Sequence, residues 1–413
     1  MKKDILLITN FWHFKCEKDS SRYLSLAELL IKNEYNLEVI TSTFYHRTKL
    51  KRNYSKDFLN SFPYKITLLE EPSYKKNISI KRLIAHKKFA NNVLNYLKNR
   101  KRPDIVIVVI PTHNVAQKVI KYCKSVNLPV ILDIQDLWPE AFQMAFDIPF
   151  ISNIAFSQIK KKANFAYSNA DYIIGVSNTY VNRALNVKEP CKKFKTIYLG
   201  SNMIEAKKAI KENSVIKNKN EFWITYIGAL GHSYDIKLVI DAISLLNQKG
   251  IANIKFNLFG NGVLENEFKK YALEKKVNAY FYGHTNYDIM MAYLYKSDIA
   301  VNPIIGKSVA SIINKVCDYA TAGVPVINSQ NSEEYRTMID KYKCGINCNN
   351  GDVKAFSEAI LKLYNDEKLR KEMRNNSLKM AEENFNREKT YFGFIEAIEY
   401  LSGKDEKQNE KVS

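Results

Sequence analysis

The amino-acid sequence predicts an α/β protein with two domains, each built around a parallel sheet. A chain of 413 residues is longer than one hydrophobic core usually organises, so two or three domains are expected. Short apolar runs alternate with helical patterns along nearly the whole length, as in parallel strands connected by helices. The polar, aromatic-free stretch from Met203 to Asn220 separates two such series and predicts a linker.

The first series contains seven apolar runs of strand length. They cover Ile5–Thr9, Leu37–Thr41, Ile66–Leu69, Ile105–Ile110, Val130–Asp133, Tyr172–Val176 and Phe194–Tyr198. Helical patterns lie between many of these runs, for example at Ser20–Asn33 and Ile80–Lys98, and Ser20 and Ser21 are candidate N-caps. We expect a sheet that is covered by helices on both faces.

The second series predicts six more strands. They cover Phe222–Gly228, Ile254–Gly260, Ala279–Gly283, Asp298–Asn302, Pro325–Asn328 and Gly345–Cys348. Helical patterns are found at Ile236–Gln248, Leu264–Lys275, Asp352–Asn365 and Glu367–Phe385. The predicted division is an N-terminal domain (1–203), a C-terminal domain (204–385), a helix returning to the first domain (386–402) and a disordered tail (403–413).

Positive charge is concentrated in the first half of the chain. Residues 1–200 carry 33 basic and 16 acidic side chains, a net charge of +17 out of +20 overall. Within residues 47–102 the counts are 16 and 3, and aromatic residues are interleaved with the basic ones. Such a surface suits an anionic membrane, or equally nucleic acid. A general lysine-rich composition, spread over solvated faces, is the alternative explanation.

Several classes of protein do not fit the sequence. The six cysteines form no repeating pair and have no neighbouring histidine, which favours free thiols in a reducing cytoplasm over a metal site. No P-loop motif occurs, and Asn10-Phe-Trp follows the first strand where a dehydrogenase has a glycine-rich turn. The apolar runs are too short to span a bilayer, and the N-terminal one is too short for a signal peptide.

Glycine and histidine follow three predicted strands of the second domain. In open α/β sheets, ligands bind beyond the carboxyl ends of the strands, where glycine allows close approach of the backbone. The residues concerned are Gly228, Gly231, His232, Gly260, Gly262, Gly283 and His284. Any single glycine here could simply serve a turn, but their recurrence at successive strand ends predicts a ligand edge.

The segment Asn314–Ile327 predicts a short helix followed by a Gly-x-Pro turn into a buried strand. The N-terminus of this helix can bind a phosphate through free backbone N–H groups. Asp318, further along the helix, can accept hydrogen bonds from a ribose diol. Diphosphate and ribose form the tail of a nucleotide-activated donor. The alternative is that Asp318 is an ordinary exposed helical acid.

Polar residues and a tryptophan follow a predicted strand of the first domain, in the sequence Leu132–Glu140. Gln135, Asp136, Trp138 and Glu140 combine amide, carboxylate and aromatic groups, which is how proteins bind sugars. Alternatively, Trp138 belongs to the core and Pro139 starts a helix.

These motifs, in this order, resemble the retaining family 4 glycosyltransferases of the GT-B fold over roughly residues 1–400. The matching pieces are Gln135–Glu140, Ser168–Ser177, Tyr226–Gly231, Leu258–Gly262, Phe281–Gly283, Ser297–Pro303 and Asn314–Ile327. The resemblance is greatest to the bacterial branch that builds O-antigen and capsule polysaccharides, including N-acetylfucosamine-type transferases. It implies two Rossmann-like domains facing across a cleft, with a C-terminal helix returning to the first domain.

The resemblance also assigns roles to residues. Asp318 corresponds to the second acid of the Glu-x7-Glu motif, whereas Ala310 stands at the first acid, so contacts from 311–315 are expected to replace it. The predicted donor-binding set therefore adds Ser311, Ile312, Asn314, Lys315 and Asp318 to the glycines and histidines above. The usual Arg/Lys clamp is missing after Gly228, and His232 is expected to serve instead. Asp136 and Gln135 are the predicted catalytic residues. The predicted acceptor-binding residues are Trp12, Arg22, His113, Trp138 and Glu140.

The predicted function is transfer, with retention, of a hexosyl or N-acetylhexosaminyl group. The expected donor is a nucleoside diphosphate sugar, most simply a UDP-sugar, and the expected acceptor is a lipid-linked, lipopolysaccharide or capsule saccharide. Residues 47–102 are expected to contact the anionic inner face of the plasma membrane, with the protein cytoplasmic and peripheral. No tightly bound metal, other cofactor or nucleic acid is expected. An epimerase of the same fold, a nucleic-acid-binding protein and an inactive scaffold are the alternatives.

Overall fold

A computed structural model describes residues 2–17, 22–76, 79–138, 140, 151–305 and 312–409. The chain divides into two compact units: a first unit of Met1–Ile197 with Tyr391–Ser413, and a second unit of Tyr198–Thr390. Both units are α/β with a parallel sheet, as the sequence predicted.

The first unit contains a seven-stranded parallel sheet in the order β5-β2-β1-β6-β7-β8-β9. Its strands are β1 (Asp4–Ile8), β2 (Asn36–Ser42), β5 (Lys65–Leu69), β6 (Ile105–Ile110), β7 (Val130–Ile134), β8 (Tyr172–Gly175) and β9 (Phe194–Thr196). A small antiparallel pair, β3 (Phe44–Tyr45) and β4 (Leu50–Lys51), was not predicted from the sequence. The helices are α1 (Arg22–Lys32), α2 (Lys56–Asn60), α3 (Ile80–Asn99), α4 (His113–Ser125), α5 (Ile151–Asn169) and α6 (Asn178–Leu185), with a 3-10 turn at Lys15–Glu17.

The central strands of this sheet are buried on both faces. All six residues of β6 are buried, because α3 and α4 pack on one face and α1 on the other. The last helix of the chain also belongs to this unit, since Phe394 and Ile398 lie in the same core as Leu26 of α1. The predicted return of the C-terminal helix to the first domain is thereby confirmed.

The second unit contains a six-stranded parallel sheet in the order β12-β11-β10-β13-β14-β15. Its strands are β10 (Phe222–Ile227), β11 (Ile254–Phe259), β12 (Ala279–Gly283), β13 (Ile299–Asn302), β14 (Val326–Asn328) and β15 (Gly345–Asn347). The helices are α7 (Met203–Glu212), α8 (Ile236–Gln248), α9 (Glu265–Glu274), α10 (Tyr287–Lys296), α11 (Asn314–Thr321), α12 (Glu333–Tyr342), α13 (Val353–Asn365), α14 (Glu367–Met380) and α15 (Arg387–Thr390), with a π-helical turn at Ala381–Phe385. The chain ends with α16 (Phe392–Asn409), which belongs to the first unit.

Two segments differ from the sequence prediction. The linker prediction was wrong for Met203–Glu212, which is helical: Asn202 caps it by accepting a hydrogen bond from the N–H of Glu205 at 3.0 Å, and Met203, Ala206 and Ala209 are buried. This spacing of three gives the segment one apolar face despite its polar composition. The last helix continues to Asn409, beyond the predicted helix end at 402, since Lys, Glu and Gln favour extension of an existing helix. None of the helices within the described ranges is long and apolar enough to cross a membrane.

Candidate functional site

The strand ends of the second unit are held together by glycines. The N–H of Gly228 donates to the carbonyl of Phe259 at 2.9 Å, and the N–H of Gly260 donates to that of Gly283 at 2.7 Å. Gly228 and Gly260 have φ values of 139° and 128°, which disfavour any other residue. A Cβ atom would lie 1.9 Å from the Gly228 carbonyl oxygen if added at Gly260, and 2.1 Å from that of Leu230 if added at Gly262. Gly260 and Gly262 therefore allow the neighbouring backbone to approach closely. At Gly231 and Gly283, by contrast, a Cβ atom would meet open space.

The most unusual side chain at this edge is Lys315, in the first turn of α11. It is only 6% exposed, and its Nζ makes no hydrogen bond within the described structure. Nζ lies 4.1 Å from the ring centroid of Tyr226 and 3.9 Å from that of Tyr234, so its contacts are cation–π. A Cβ atom added at Gly228 would lie 3.0 Å from Nζ. Burial lowers the pKa of Lys315 well below its ordinary value. Among the described residues, no anion pairs with this buried amine.

Asp318 lies one turn after Lys315 on α11. Its Oδ1 accepts hydrogen bonds from the hydroxyls of Ser201 at 2.8 Å and Tyr287 at 3.3 Å. Burial raises its pKa to about 6, against the opposing effects of Ser201, Arg387 and Tyr287. Asp318 is therefore not an ordinary exposed acid. Oδ2 takes part in neither hydrogen bond and can accept one from a ligand hydroxyl.

The remaining predicted donor residues are arranged less closely around Lys315. Ile312 is buried in the core, whereas Asn314, the first residue of α11, is exposed. His232 and His284 are exposed in the loops after β10 and β12. Ser311, together with Ala310 at the position of the missing acid, lies outside the described residues.

In the first unit, residues at the end of β7 and just after it form short-range hydrogen bonds with one another. The indole N–H of Trp138 donates to Oδ2 of Asp136 at 2.9 Å, and burial raises the pKa of Asp136. The guanidinium carbon of Arg82 lies 4.4 Å from the Trp138 ring centroid. Gln135 donates to Oδ2 of Asp133 at 3.2 Å. Trp138 is buried, as the core interpretation of this residue expects.

Four histidines at the same edge are kept neutral by burial. The pKa values of His13 and His46 are lowered to about 4, and those of His86 and His113 to about 3. At neutral pH these rings act as hydrogen-bonding and packing groups. Only His113 was predicted from the sequence, since the others follow no recognisable motif.

Two predicted acceptor residues are part of the core, and their predicted role was wrong for that reason. Trp12 is fully buried and packs edge-on against Phe14 and Tyr64. The Nε and Nη2 atoms of Arg22 each donate to Asp133 at 3.1 Å, and Nη1 donates to the carbonyl of Ile197 at 2.8 Å. The Arg22 side chain is 2% exposed, and its donors are engaged by Asp133 and the Ile197 carbonyl, so it serves the core.

Of the other predicted acceptor residues, Glu140 is partly exposed and His113 lies beside Trp138. Oε1 of Glu140 accepts from Nε of Arg183 at 2.5 Å, and its Oε2 is buried without a hydrogen-bond partner within the described structure. His113 begins α4, and its ring centroid lies 6.4 Å from that of Trp138. His113, Trp138 and Asp136 therefore form one cluster.

The described residues contain no group of three or more His, Cys, Asp or Glu side chains arranged to hold a metal ion. The six cysteines form no disulfide within the described structure, and five of them are buried.

Part of the chain is similar to known glycosyltransferases. Residues 207–380 match the family model described as glycosyl transferases group 1. An uncharacterized glycosyltransferase of Methanocaldococcus jannaschii, MJ1069, is 24% identical over 257 residues, which are 61% of this chain and 64% of the relative. The match thus spans less than two thirds of that protein.

Solved structures show the same fold over the whole chain. HepE of Anabaena, in complex with UDP, has a TM-score of 0.67 at 13% identity, covering 97% of this chain and 100% of HepE. WaaG, a glycosyltransferase involved in lipopolysaccharide biosynthesis, has a TM-score of 0.63 at 15% identity, covering 97% and 100%. The predicted GT-B fold is confirmed. The second unit is thus similar to a glycosyltransferase domain.

Proposed function

We propose that this protein transfers a sugar from a UDP-sugar to a lipid-linked or lipopolysaccharide-type saccharide acceptor. The observation that carries the proposal is Lys315, a buried ammonium without an anion, one helical turn before the carboxylate of Asp318. Burying an unpaired charge is costly unless a ligand completes it. A diphosphate on Lys315 and a ribose on Asp318 complete both groups at once.

Lys315 would then take the place of the clamp that the sequence lacks after Gly228. When the glycosidic bond to a nucleoside diphosphate breaks, negative charge develops on the departing diphosphate. A cation in a desolvated site stabilises this charge more strongly than one in water. The N–H groups at the start of α11 add donors of the same kind. The proposal requires no metal ion and no further cofactor.

Two observations support a nucleoside as part of the donor: the carboxyl group of Asp318 and the similarity of the fold to HepE. Oδ2 of Asp318 is proposed to accept a hydrogen bond from a ribose hydroxyl; Oδ1 accepts from Ser201 and Tyr287, which supports a fixed orientation of the carboxyl group. HepE, which shares the fold, has been crystallised with UDP and with UDP-glucose, which favours uridine as the first base to test.

The acceptor is proposed to bind the cluster of Asp136, Trp138 and His113 in the first unit. Trp138 offers a ring edge for a sugar, and the carboxyl group of Asp136 can orient an attacking hydroxyl. Retention of configuration is proposed from the family resemblance. Membrane contact through the basic segment 47–102, on the cytoplasmic face, follows from its charge, since each Lys or Arg near an anionic surface contributes about 1 kcal/mol.

Calorimetric titration of UDP tests the donor site. We expect UDP to bind more tightly than GDP or TDP, and Lys315→Met to weaken UDP binding by about tenfold or more, the effect of losing a charge-assisted contact. Lys296→Met, which removes an exposed lysine of α10, is the matched control and should bind as the unchanged protein does. Equal UDP affinity in all three proteins contradicts the proposed diphosphate site.

Turnover separates transfer from epimerisation. A transferase releases UDP from a UDP-sugar in proportion to added acceptor, whereas an epimerase of the same fold converts the donor without an acceptor. Conversion of UDP-sugar that does not respond to any lipid-linked saccharide contradicts the transfer reaction.

A further inference from the structure

The first unit contains a groove that includes none of the residues assigned to the donor. Its volume is about 520 Å³, and its lining comes from α3, α4 and α5 together with Pro111 and Trp138. Three lysines contribute to the lining, one from each helix: Lys87, Lys118 and Lys162. The described residues that line the groove include no carboxylate.

The charge of these lysines is not compensated within the described structure. Lys118 donates to the side-chain oxygen of Asn91, and Lys162 donates to that of Asn114 at 2.5 Å, so both partners are neutral amides. Burial lowers the pKa of Lys162, and the charges of Lys87 and Lys118 lower it further. Three ammonium groups that repel one another form a site for a multiply charged anion.

A buried polar atom in the lining adds a second observation. The Nε2 atom of His113 is buried and has no hydrogen-bond partner among the described residues. Burial lowers the pKa of His113 to about 3, so the ring is neutral at physiological pH. A neutral imidazole can donate to or accept from a ligand without adding charge.

One side of the groove is apolar and open to solvent. Leu83 and Ile84 of α3 belong to the lining and are 43% and 58% exposed. Ile80, one helical turn before Ile84 on the same face, is 75% exposed. Exposed aliphatic side chains beside clustered lysines are complementary to a molecule with an anionic head and a hydrocarbon chain.

We infer that this groove binds the diphosphate head and first chain carbons of a long-chain diphosphate ester, with the head on Lys87, Lys118 and Lys162 and the chain along Leu83, Ile84 and Ile80. The inference rests on the proposed function, because it names the carrier to which a lipid-linked acceptor is attached. It goes further by locating the head group on α3, α4 and α5, in a groove whose lining shares His113 and Trp138 with the proposed sugar-binding cluster.

Farnesyl diphosphate, a soluble long-chain diphosphate, is the probe. We expect the unchanged protein to bind it more tightly than inorganic pyrophosphate, which lacks the chain, or farnesol, which lacks the charge. The triple variant Lys87→Gln, Lys118→Gln, Lys162→Gln should lose about tenfold or more in affinity. The matched control replaces one lysine from each of the same helices outside the lining: Lys98→Gln, Lys121→Gln, Lys160→Gln.

The two triple variants remove the same net charge, so a general electrostatic effect weakens both equally. Equal loss in both, or equal affinity for farnesol and farnesyl diphosphate, overturns the inference. A further variant, Leu83→Asn with Ile84→Asn, should weaken farnesyl diphosphate while leaving pyrophosphate binding unchanged; no effect on either overturns the role of the apolar side.

Titration of UDP into the same preparations separates this inference from the proposed function. UDP binding that persists in the groove variant shows that the protein is folded and that the donor site is intact. If UDP fails to bind the unchanged protein while the groove variant loses farnesyl diphosphate selectively, the donor proposal fails and the groove assignment stands.

Discussion

Each unit of the protein buries a long cationic side chain, but the two cations are treated differently. In the first unit, the Arg22 guanidinium donates two hydrogen bonds to Asp133 and one to a backbone carbonyl. In the second unit, Lys315 is also buried, but its Nζ lies over the rings of Tyr226 and Tyr234 and has no hydrogen-bond partner among the described residues. Arg22 is satisfied by the fold itself, whereas Lys315 is not.

The difference is the basis for the proposal that Arg22 serves structure and Lys315 serves a ligand. Removing one partner of a buried ion pair leaves the other charge uncompensated, so such a pair is costly to break. An unpaired buried ammonium destabilises the free protein, and a fold retains it at a place where an anion binds. Opposite effects of removing the two charges are therefore expected.

The largest effect is expected at Arg22. Arg22→Met leaves the Asp133 carboxylate buried without a cation and should lower the free energy of unfolding by about 3–5 kcal/mol. Denaturation by urea measures this loss. Combining it with Asp133→Leu should restore much of the stability, because no uncompensated charge remains. If the single variant is as stable as the unchanged protein, the buried pair contributes nothing.

Lys315→Met is expected to act in the opposite direction. The thioether side chain has a similar length and replaces a buried amine whose burial depresses its pKa, which costs stability, so the free energy of unfolding should rise by about 1 kcal/mol or more. The same urea titration, without ligand, measures it. A stabilised variant that no longer binds UDP marks a residue kept for function. Simultaneous loss of stability and binding points instead to a packing role.

The sequence predicted the framework of both units well. The apolar runs became the strands of the two main sheets because fully buried parallel strands need continuous apolar sequence. The helix Met203–Glu212 was missed because its apolar face consists of small and flexible residues with a spacing of three. Composition alone resembles a linker there, and only the packing against the second unit's core distinguishes the two.

The candidate sites were predicted less completely, for a physical reason. Lys315 and Asp318 lie in one motif, so their proximity could be predicted. Tyr226 and Tyr234, which contact the ammonium of Lys315, come from a distant strand and the loop after it. In contrast, Arg22 was predicted to bind the acceptor because no sequence signal separates an arginine facing a ligand from one facing a buried aspartate.

Binding of UDP is expected to be coupled to proton uptake. Burial depresses the pKa of Lys315 in the free protein, and a bound diphosphate should raise it again, so the lysine takes up a proton on binding. Calorimetry at one slightly alkaline pH, in Tris and in HEPES, gives the number of protons from the buffer dependence of the heat. We expect uptake of up to about one proton in the unchanged protein. Lys315→Met should show less; equal uptake in both assigns the proton to another group.

The smallest effect is expected from Asp318. Its pKa is raised from 3.8 to about 6 in the folded protein, so between these values the folded state binds more protons than the unfolded state. Stability should therefore fall as the pH rises through this window, by about 1 kcal/mol from this group once solvent access is allowed for. Asp318→Asn removes the titration, so its stability relative to the unchanged protein should increase from pH 4 to pH 7, as measured by urea titration across that range. If the two proteins have parallel stability profiles, burial of the Asp318 carboxyl group does not cost stability. The argument that a costly buried group marks the donor site then applies to Lys315 but not to Asp318.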